Sequence, residues 1–263
     1  SFNQDIGSWD VSSGTDFGFM FRKSGFNQAI GSWDVSSGID FLYMFSNAVF
    51  NENIGNWDVS SGNNFQGMFY QASSFNQDIS NWDVSSGNNF MGMFMQASSF
   101  NQDISSWDVS SGSNFAEMFR DAEFFNHDLS NWNVSSGNDF SYMFKNADAF
   151  NQNISSWDVS SEASLNSMFN SATAMLTNQG VSATPNRSYF VGSTPSAPVI
   201  TTTTTLTNDS TPTIEGTAEA GSTVELFYGS NSLGTVVAAD NGSFSITSLA
   251  LADGSYSLTV SAT

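Results

Sequence analysis

The chain has 263 residues with 25 acids, 5 bases and one His, and its net charge of −20 makes nucleic acid and anionic membrane surfaces poor partners, since both call for basic surface. It contains no Cys, which removes disulfides, thiolate metal sites and a Cys nucleophile. Only 11% of residues are charged while 14% are aromatic, and that much aromatic surface demands a core.

The chain repeats from its first residues. A Phe-Asn pair begins units at Phe2, Phe26, Phe50, Phe75, Phe100, Phe125 and Phe150, a period of 24 residues twice and then 25. Each unit carries a Trp seven residues on: Trp9, Trp33, Trp57, Trp82, Trp107, Trp132 and Trp157. A Val follows each Trp at +2, and this fixed pairing predicts that the Trp column is structural core. In the fourth unit Phe90, Met93, Phe94 and Ala97 fall at i, i+3, i+4 and i+7, which predicts one apolar face of a short helix with Ser85 or Ser86 as its cap. Trp107 and Val109 alternate with Asp108, which predicts a short strand with Asp outward. Each unit is thus expected to supply one short strand, a Ser/Gly turn and one short helix. One unit cannot bury its own apolar face, so the units are expected to stack into an α/β repeat solenoid with parallel strands about 4.8 Å apart.

The segment SFNQDISSWDVSSGSNFAEMFRDA, Ser99 to Ala122, resembles the BspA-like leucine-rich-repeat surface proteins, in the F-N-x-x-I-x-x-W-D form also found in Mycoplasma lipoproteins. The resemblance covers residues 1 to about 176. It implies an LRR-like fold, an extracellular or cell-surface location and adhesion to proteins or cells. Gly14, Gly38, Gly62, Gly87, Gly112 and Gly137 depart from the pattern, where an aliphatic residue is expected. Two readings are open for them: a left-handed turn, or a looser one.

The seventh unit decays, with Glu162 for Gly, Leu165 for Phe and Met175 for the next Phe. Met175, Leu176, Val181, Tyr189 and Phe190 are expected to form a closing lid. No such lid is legible before Phe2, so the sequence reads as a slice of a longer protein. The solenoid with its cap is placed at 1–193, with a linker near Gly192 to Ala197. The domain at 194–263 shows six β-rich runs: Val199–Thr205, Thr213–Thr217, Thr223–Tyr228, Thr235–Val237, Ser243–Thr247 and Tyr256–Thr263. This spacing predicts a sandwich. Thr211 to Thr263 resembles the bacterial Ig-like repeats of surface adhesins, a family whose pattern continues into one more strand.

Three columns are candidate sites. Asp10, Asp34, Asp58, Asp83, Asp108 and Asp158, with Asn133, should stack on one solvent face. Each Asp either hydrogen-bonds its own turn or shares Ca²⁺ with its neighbours, since Ca²⁺ favours oxygen ligands. Asn3, Asn27, Asn51, Asn76, Asn101, Asn126 and Asn151 are expected to be buried or half-buried, their stacked amides satisfying one another. His127 stands where other units have Gln and reads as a surface variant. No nucleophile elbow or second base surrounds it, and repetition offers no unique catalytic constellation. No enzymatic activity and no required cofactor are expected, with Ca²⁺ as the one candidate ligand. The expected role is an extracellular adhesion or structural module that binds a protein or glycan along a repetitive face. The alternatives are a self-assembling filament subunit and a carbohydrate- or ice-binding module. No direct membrane insertion is expected, because no run of about 18 apolar residues occurs.

Overall fold

The computed structural model describes residues 2–190, 197–203, 207–239 and 241–263. The linker expected at Gly192 to Ala197 lies almost wholly outside them. The chain divides into two compact units, Ser1–Pro185 with Tyr189–Gly192, and Asn186–Ser188 with Ser193–Thr263.

The first unit is a stack of seven coils, and it corrects the expected α/β solenoid. Among the described residues the helical elements are a five-residue π-helical turn, Met175–Gln179, and a 3-10 turn, Arg187–Tyr189. Neither lies within the predicted helix segments. The Trp-Asp-Val segment is not a strand either. Consecutive coils share one isolated parallel bridge each, such as Asn64↔Asn89 and Asn89↔Asn114.

What replaces the helix explains why the sequence imitated one. In the fourth coil the N–H groups of Phe90, Gly92, Phe94 and Gln96 donate to the carbonyls of Asn114, Ala116, Met118 and Arg120 in the next coil, at 2.8–2.9 Å. The intervening N–H groups of Met93, Met95 and Ala97 donate three residues back, to Phe90, Gly92 and Phe94. Gly92 and Gln96 have φ of 60° and 59°. A left-handed residue every fourth position rotates alternate peptides toward the neighbouring coil, so the backbone runs as chained turns. Phe90, Met93, Phe94 and Ala97 still share one side and are fully buried. The apolar spacing was therefore read correctly, but it belongs to turns whose partners lie 24 or 25 residues away.

Such a pair of left-handed residues recurs in every coil, mostly without glycine: Phe19 and Lys23, Tyr43 and Asn47, Glu117 and Asp121, Tyr142 and Asn146, Ser167 and Ser171. A side chain costs about 1–2 kcal/mol there, which the bonds between coils offset. Ser167, whose hydroxyl donates to Asn166 of its own coil rather than to a neighbouring one, offers a relief of that strain. Ser167→Gly is expected to stabilise the chain by about 0.5–1 kcal/mol after the entropy of a freer unfolded glycine is deducted. A higher urea midpoint at unchanged slope would show it.

The core is made of like residues stacked on like. Phe65, Phe90 and Phe115 follow one another at 5.6 Å, nearly parallel. Within the zigzag between coils, Phe69 and Phe75 stack at 3.8 Å. Trp57, Trp82 and Trp107 stand parallel at 6.4 Å. Trp33 through Trp157 are buried, whereas Trp9 is 57% exposed because it lies in the first coil, with no coil stacked beyond it in this sequence. Each buried indole also donates to the coil before it: Trp82 Nε1 reaches the carbonyl of Ile54 at 3.0 Å, and Trp107 that of Ile79 at 3.0 Å.

Both readings offered for the Gly column give way to a third. None of those six glycines has positive φ. A Cβ on Gly87 would instead lie 2.5 Å from Cζ of Phe90 and 2.9 Å from the Val84 carbonyl. Gly62 meets Phe65 and Val59 at the same distances. The glycine is missing a side chain so that the Phe three residues on can lie against its backbone. Coil seven loses both together, carrying Glu162 and Leu165.

The cap imitates an eighth coil. Ala183 O and Thr184 Oγ1 accept the N–H groups of Phe169 and Ser167, each at 2.8 Å, where a following coil's carbonyls would stand. Met175 and Phe190 are buried against the coil core, with Leu176, Val181 and Tyr189 packed beside them.

The second unit contains β1 (Val199–Ile200), β2 (Thr213–Thr217), β3 (Thr223–Tyr228), β4 (Asn231–Val237), β5 (Ser243–Thr247) and β6 (Leu258–Ala262). They form two antiparallel three-stranded sheets, β1-β2-β5 and β4-β3-β6. The alternation Ile214, Val224, Leu226, Phe244 and Ile246 supplies the buried face. β1 is shorter than the run expected to reach Thr205, and residues 204–206 lie outside those described.

Candidate functional surface

The Asp column faces solvent along its whole length: Asp10, Asp34, Asp58, Asp83, Asp108 and Asp158 are exposed. In Asp10, Asp34, Asp58, Asp83 and Asp108 one carboxylate oxygen is bonded locally. Asp58 Oδ1 accepts both the N–H of Ser60 at 3.0 Å and its hydroxyl at 2.6 Å, and Asp10 and Asp34 do the same with Ser12 and Ser36. Asp83 and Asp108 accept the N–H groups of Ser85 and Ser110. Two further columns build corners alike: Asp78 and Asp103 hold Ser80 and Ser105, and Asn64 and Asn89 hold Gln66 and Met91. The coil therefore bends at Asx turns. Among the described residues no three acidic or His side chains converge as a metal's ligands.

The Asn column is exposed to half-buried rather than interior. Its amides do not stack on one another. Instead Oδ1 of each accepts the backbone N–H of the next, as from Asn76 to Asn51 and from Asn101 to Asn76, both 2.9 Å. The adjacent Gln clamps the same residue from above, with Gln102 Nε2 on both oxygens of Asn76. His127 keeps that contact through Nε2, 2.9 Å from the Asn101 carbonyl. Gln179 of the cap repeats it on Asn151. Both columns are thus structural rungs.

The remaining side of each coil is the chained-turn segment, residues 18–23, 42–47, 66–71, 91–96, 116–121, 141–146 and 166–171. Its outward positions change from coil to coil. Phe19 and Tyr43 stack at 5.7 Å with the Arg22 guanidinium over both rings. Tyr43 lies against Gly67, where any side chain would strike its ring. Tyr70 meets Tyr43 edge-on at 6.1 Å, and Lys145 sits over Tyr142 at 5.3 Å. Along its margin Asn47 donates to Gln71, Gln71 to Gln96, and Gln96 to Asp121, which also accepts from Asn146. From the sequence this side reads as the exposed face of the expected helices, with irregular identities at Gln66, Met91, Ala116 and Ser141 that argue against a flat lattice match. The signal was present in the same alignment of units: columns that recur with few exceptions elsewhere, and outward positions that change with each unit here.

Two family models match the chain. The description "Mycoplasma protein of unknown function, DUF285" matches residues 1–98 and 79–182. The chain belongs to this family. The C-terminal unit matches "Bacterial Ig-like domain" over residues 199–263. No curated protein and no solved structure matches the chain. The leucine-rich label fits the DUF285 coils poorly, since Phe, Met and Trp fill their core.

The corner aspartates give the DUF285 coils an acid limit. The Ser hydroxyl and N–H hold Asp10, Asp34, Asp83 and Asp108 below the usual carboxylate range, with the side-chain bond the larger cause. A carboxyl depressed in the folded state stabilises above its unfolded value and loses that stabilisation as pH falls through the folded one. Stability from these turns is expected to hold down to about pH 4 and to decline only below it. Thermal melts across that range check this, and a decline setting in near pH 6 would contradict it.

Proposed function

We propose that the chain is a non-enzymatic, surface-associated module of a bacterial cell, in which the coil stack carries a contact surface and an Ig-like unit follows it in the sequence. The observation that carries this reading is the division of labour within each coil. The recurring Asp, Asn and Gln columns commit polar groups to the fold, while the outward positions of the chained-turn side change from coil to coil. A partner is expected to meet that varied side, where Tyr and Arg, the residue types that dominate interface energetics, are placed. The Ig-like match and the lack among the described residues of any helix fit to cross a membrane agree with a module displayed outside the cell by other means.

The test is display of the intact chain to arrays of glycans and matrix proteins, with Tyr43→Ser/Tyr142→Ser and Asp83→Asn/Asp108→Asn variants beside it. Retention that disappears with the tyrosines and survives the aspartate changes supports the reading. Retention that follows the aspartates overturns it.

A further inference from the structure

Two of this chain's 5 bases stand side by side with no acid to pair them. The chained-turn segments of coils one to three, residues 18–23, 42–47 and 66–71, contain Arg22 and Lys23 and neither Asp nor Glu, in a chain of net charge −20. Both side chains are exposed, and among the described residues neither makes an ion pair. Arg120 and Arg187, by contrast, pair with Glu117 and Glu219 at 2.7 and 3.2 Å. The acids just before these segments, Asp16 and Asp40, accept the N–H groups of Gly18 and Leu42. The Arg22 guanidinium lies 5.4 Å from the centre of the Phe19 ring and 5.7 Å from that of Tyr43, so the cation is placed against rings. Tyr43 and Tyr70 are half-buried, and each still has ring surface to cover.

We propose that this patch binds an acidic carbohydrate, a chain of sugars bearing carboxylates, through Arg22, Lys23, Tyr43 and Tyr70. The inference rests on the reading of the varied side as the contact surface and names the class of ligand it takes. Charge sets the sign of the ligand. An anion is attracted by Arg22 and Lys23 and repelled over the Asp columns, which fixes where on the coil stack it docks. Backbone and shape set its class. Every N–H from Leu42 to Ala48 is already bonded, to Asp40 Oδ1 or to carbonyls of coils two and three, so a peptide cannot add here as a strand. The Tyr43 ring fills the space above Gly67, which closes the slot an apolar peptide side chain would enter there. What remains outward is ring surface, a guanidinium, an ammonium and the amide of Asn47. Rings cover the C–H faces of sugars, a guanidinium grips a carboxylate by two parallel hydrogen bonds, and an amide meets hydroxyls.

Titration calorimetry of the intact chain with a galacturonate hexamer tests this. A galactose hexamer and a glutamate hexapeptide run beside it, the first matching the sugar without the charge and the second the charge without the sugar. The uronate is expected to bind about tenfold more tightly than either. Arg22→Gln joined to Lys23→Asn is expected to weaken uronate binding by about tenfold or more with an unchanged thermal melt, since Asn tolerates the left-handed φ of 55° at position 23. Lys145→Gln, on the same side in coil six, is expected to leave binding as it was. Raising salt from about 50 mM to about 500 mM is expected to weaken the uronate several-fold. Equal binding of the glutamate peptide overturns the proposal, because charge alone would then account for the patch. Equal binding of the neutral hexamer overturns it as well, as does a loss with Lys145→Gln that matches the double variant. Silence with all three probes overturns it too, while retention on a matrix protein that disappears with Tyr43→Ser/Tyr142→Ser would leave the contact-surface reading standing.

Discussion

Trp82→Ala is expected to destabilise the coil stack by about 3–5 kcal/mol. Its indole stands between Trp57 and Trp107 at 6.4 Å on either side and tilts against Phe69 at 6.3 Å. Removing it opens a cavity that two neighbouring coils must close. It also takes a donor from Ile54, whose carbonyl accepts Trp82 Nε1 at 3.0 Å and the N–H of Trp57 at 3.1 Å. Trp82→Phe separates the two contributions, because it keeps a ring and loses the hydrogen bond, at a cost of about 1–3 kcal/mol. In a one-dimensional stack the loss weakens both interfaces of coil four's strip. Denaturant melts measure each variant, and an unchanged midpoint for the alanine would mean that the column is not core.

Gly87→Ala ranks second, at about 1–3 kcal/mol of overpacking. The added methyl has nowhere to go: Cζ of Phe90 lies 2.5 Å from its position and the Val84 carbonyl 2.9 Å. The substitution fails for a reason local to one ring, so a smaller residue at 90 should partly restore it. Phe90→Leu alone leaves a gap and costs stability. Joined to Gly87→Ala it is expected to cost less than the sum of the two, a coupling that a double-mutant cycle reads directly. Coil seven, which has Glu162 and Leu165 in the sequence, meets the same conflict by shifting its turn one residue, so that Glu162 is exposed and the N–H of Ala163 donates to Ser160. Strict additivity would refute the packing account.

The repeat, its period, its buried columns and the cap residues were legible in the sequence because side-chain burial follows spacing. Phe90, Met93, Phe94 and Ala97 occupy one side in a helix and in chained turns alike. Backbone conformation was not legible, because the choice between them lies in where Gly92 and Phe94 send their N–H groups, and those partners are a full unit away. Left-handed Tyr142 and Glu117 carry no local mark, since neither residue type favours that conformation. In the Ig-like unit the three runs Thr213–Thr217, Thr223–Tyr228 and Ser243–Thr247 coincide with β2, β3 and β5, where alternation and turn residues act within a few positions. For the candidate surface, regularity drew attention to the Asp and Asn columns, and regularity was the signature of structural work. The varied positions Tyr43, Gly67, Met91 and Tyr142 stood beside them in the same alignment.

The bonds between coils all run in one sense along the chained turns. Phe65, Phe90 and Phe115 each donate forward to the coil that follows, and the cap receives the last of them with Ala183 and Thr184. Every internal boundary therefore presents the same plug and the same socket. A whole unit of 24 or 25 residues can be inserted or removed and the flanking coils will still mate, whereas a fragment of a unit leaves donors facing donors. Length in this molecule is thus a variable that changes in whole steps, which gives the stack an inheritable ruler.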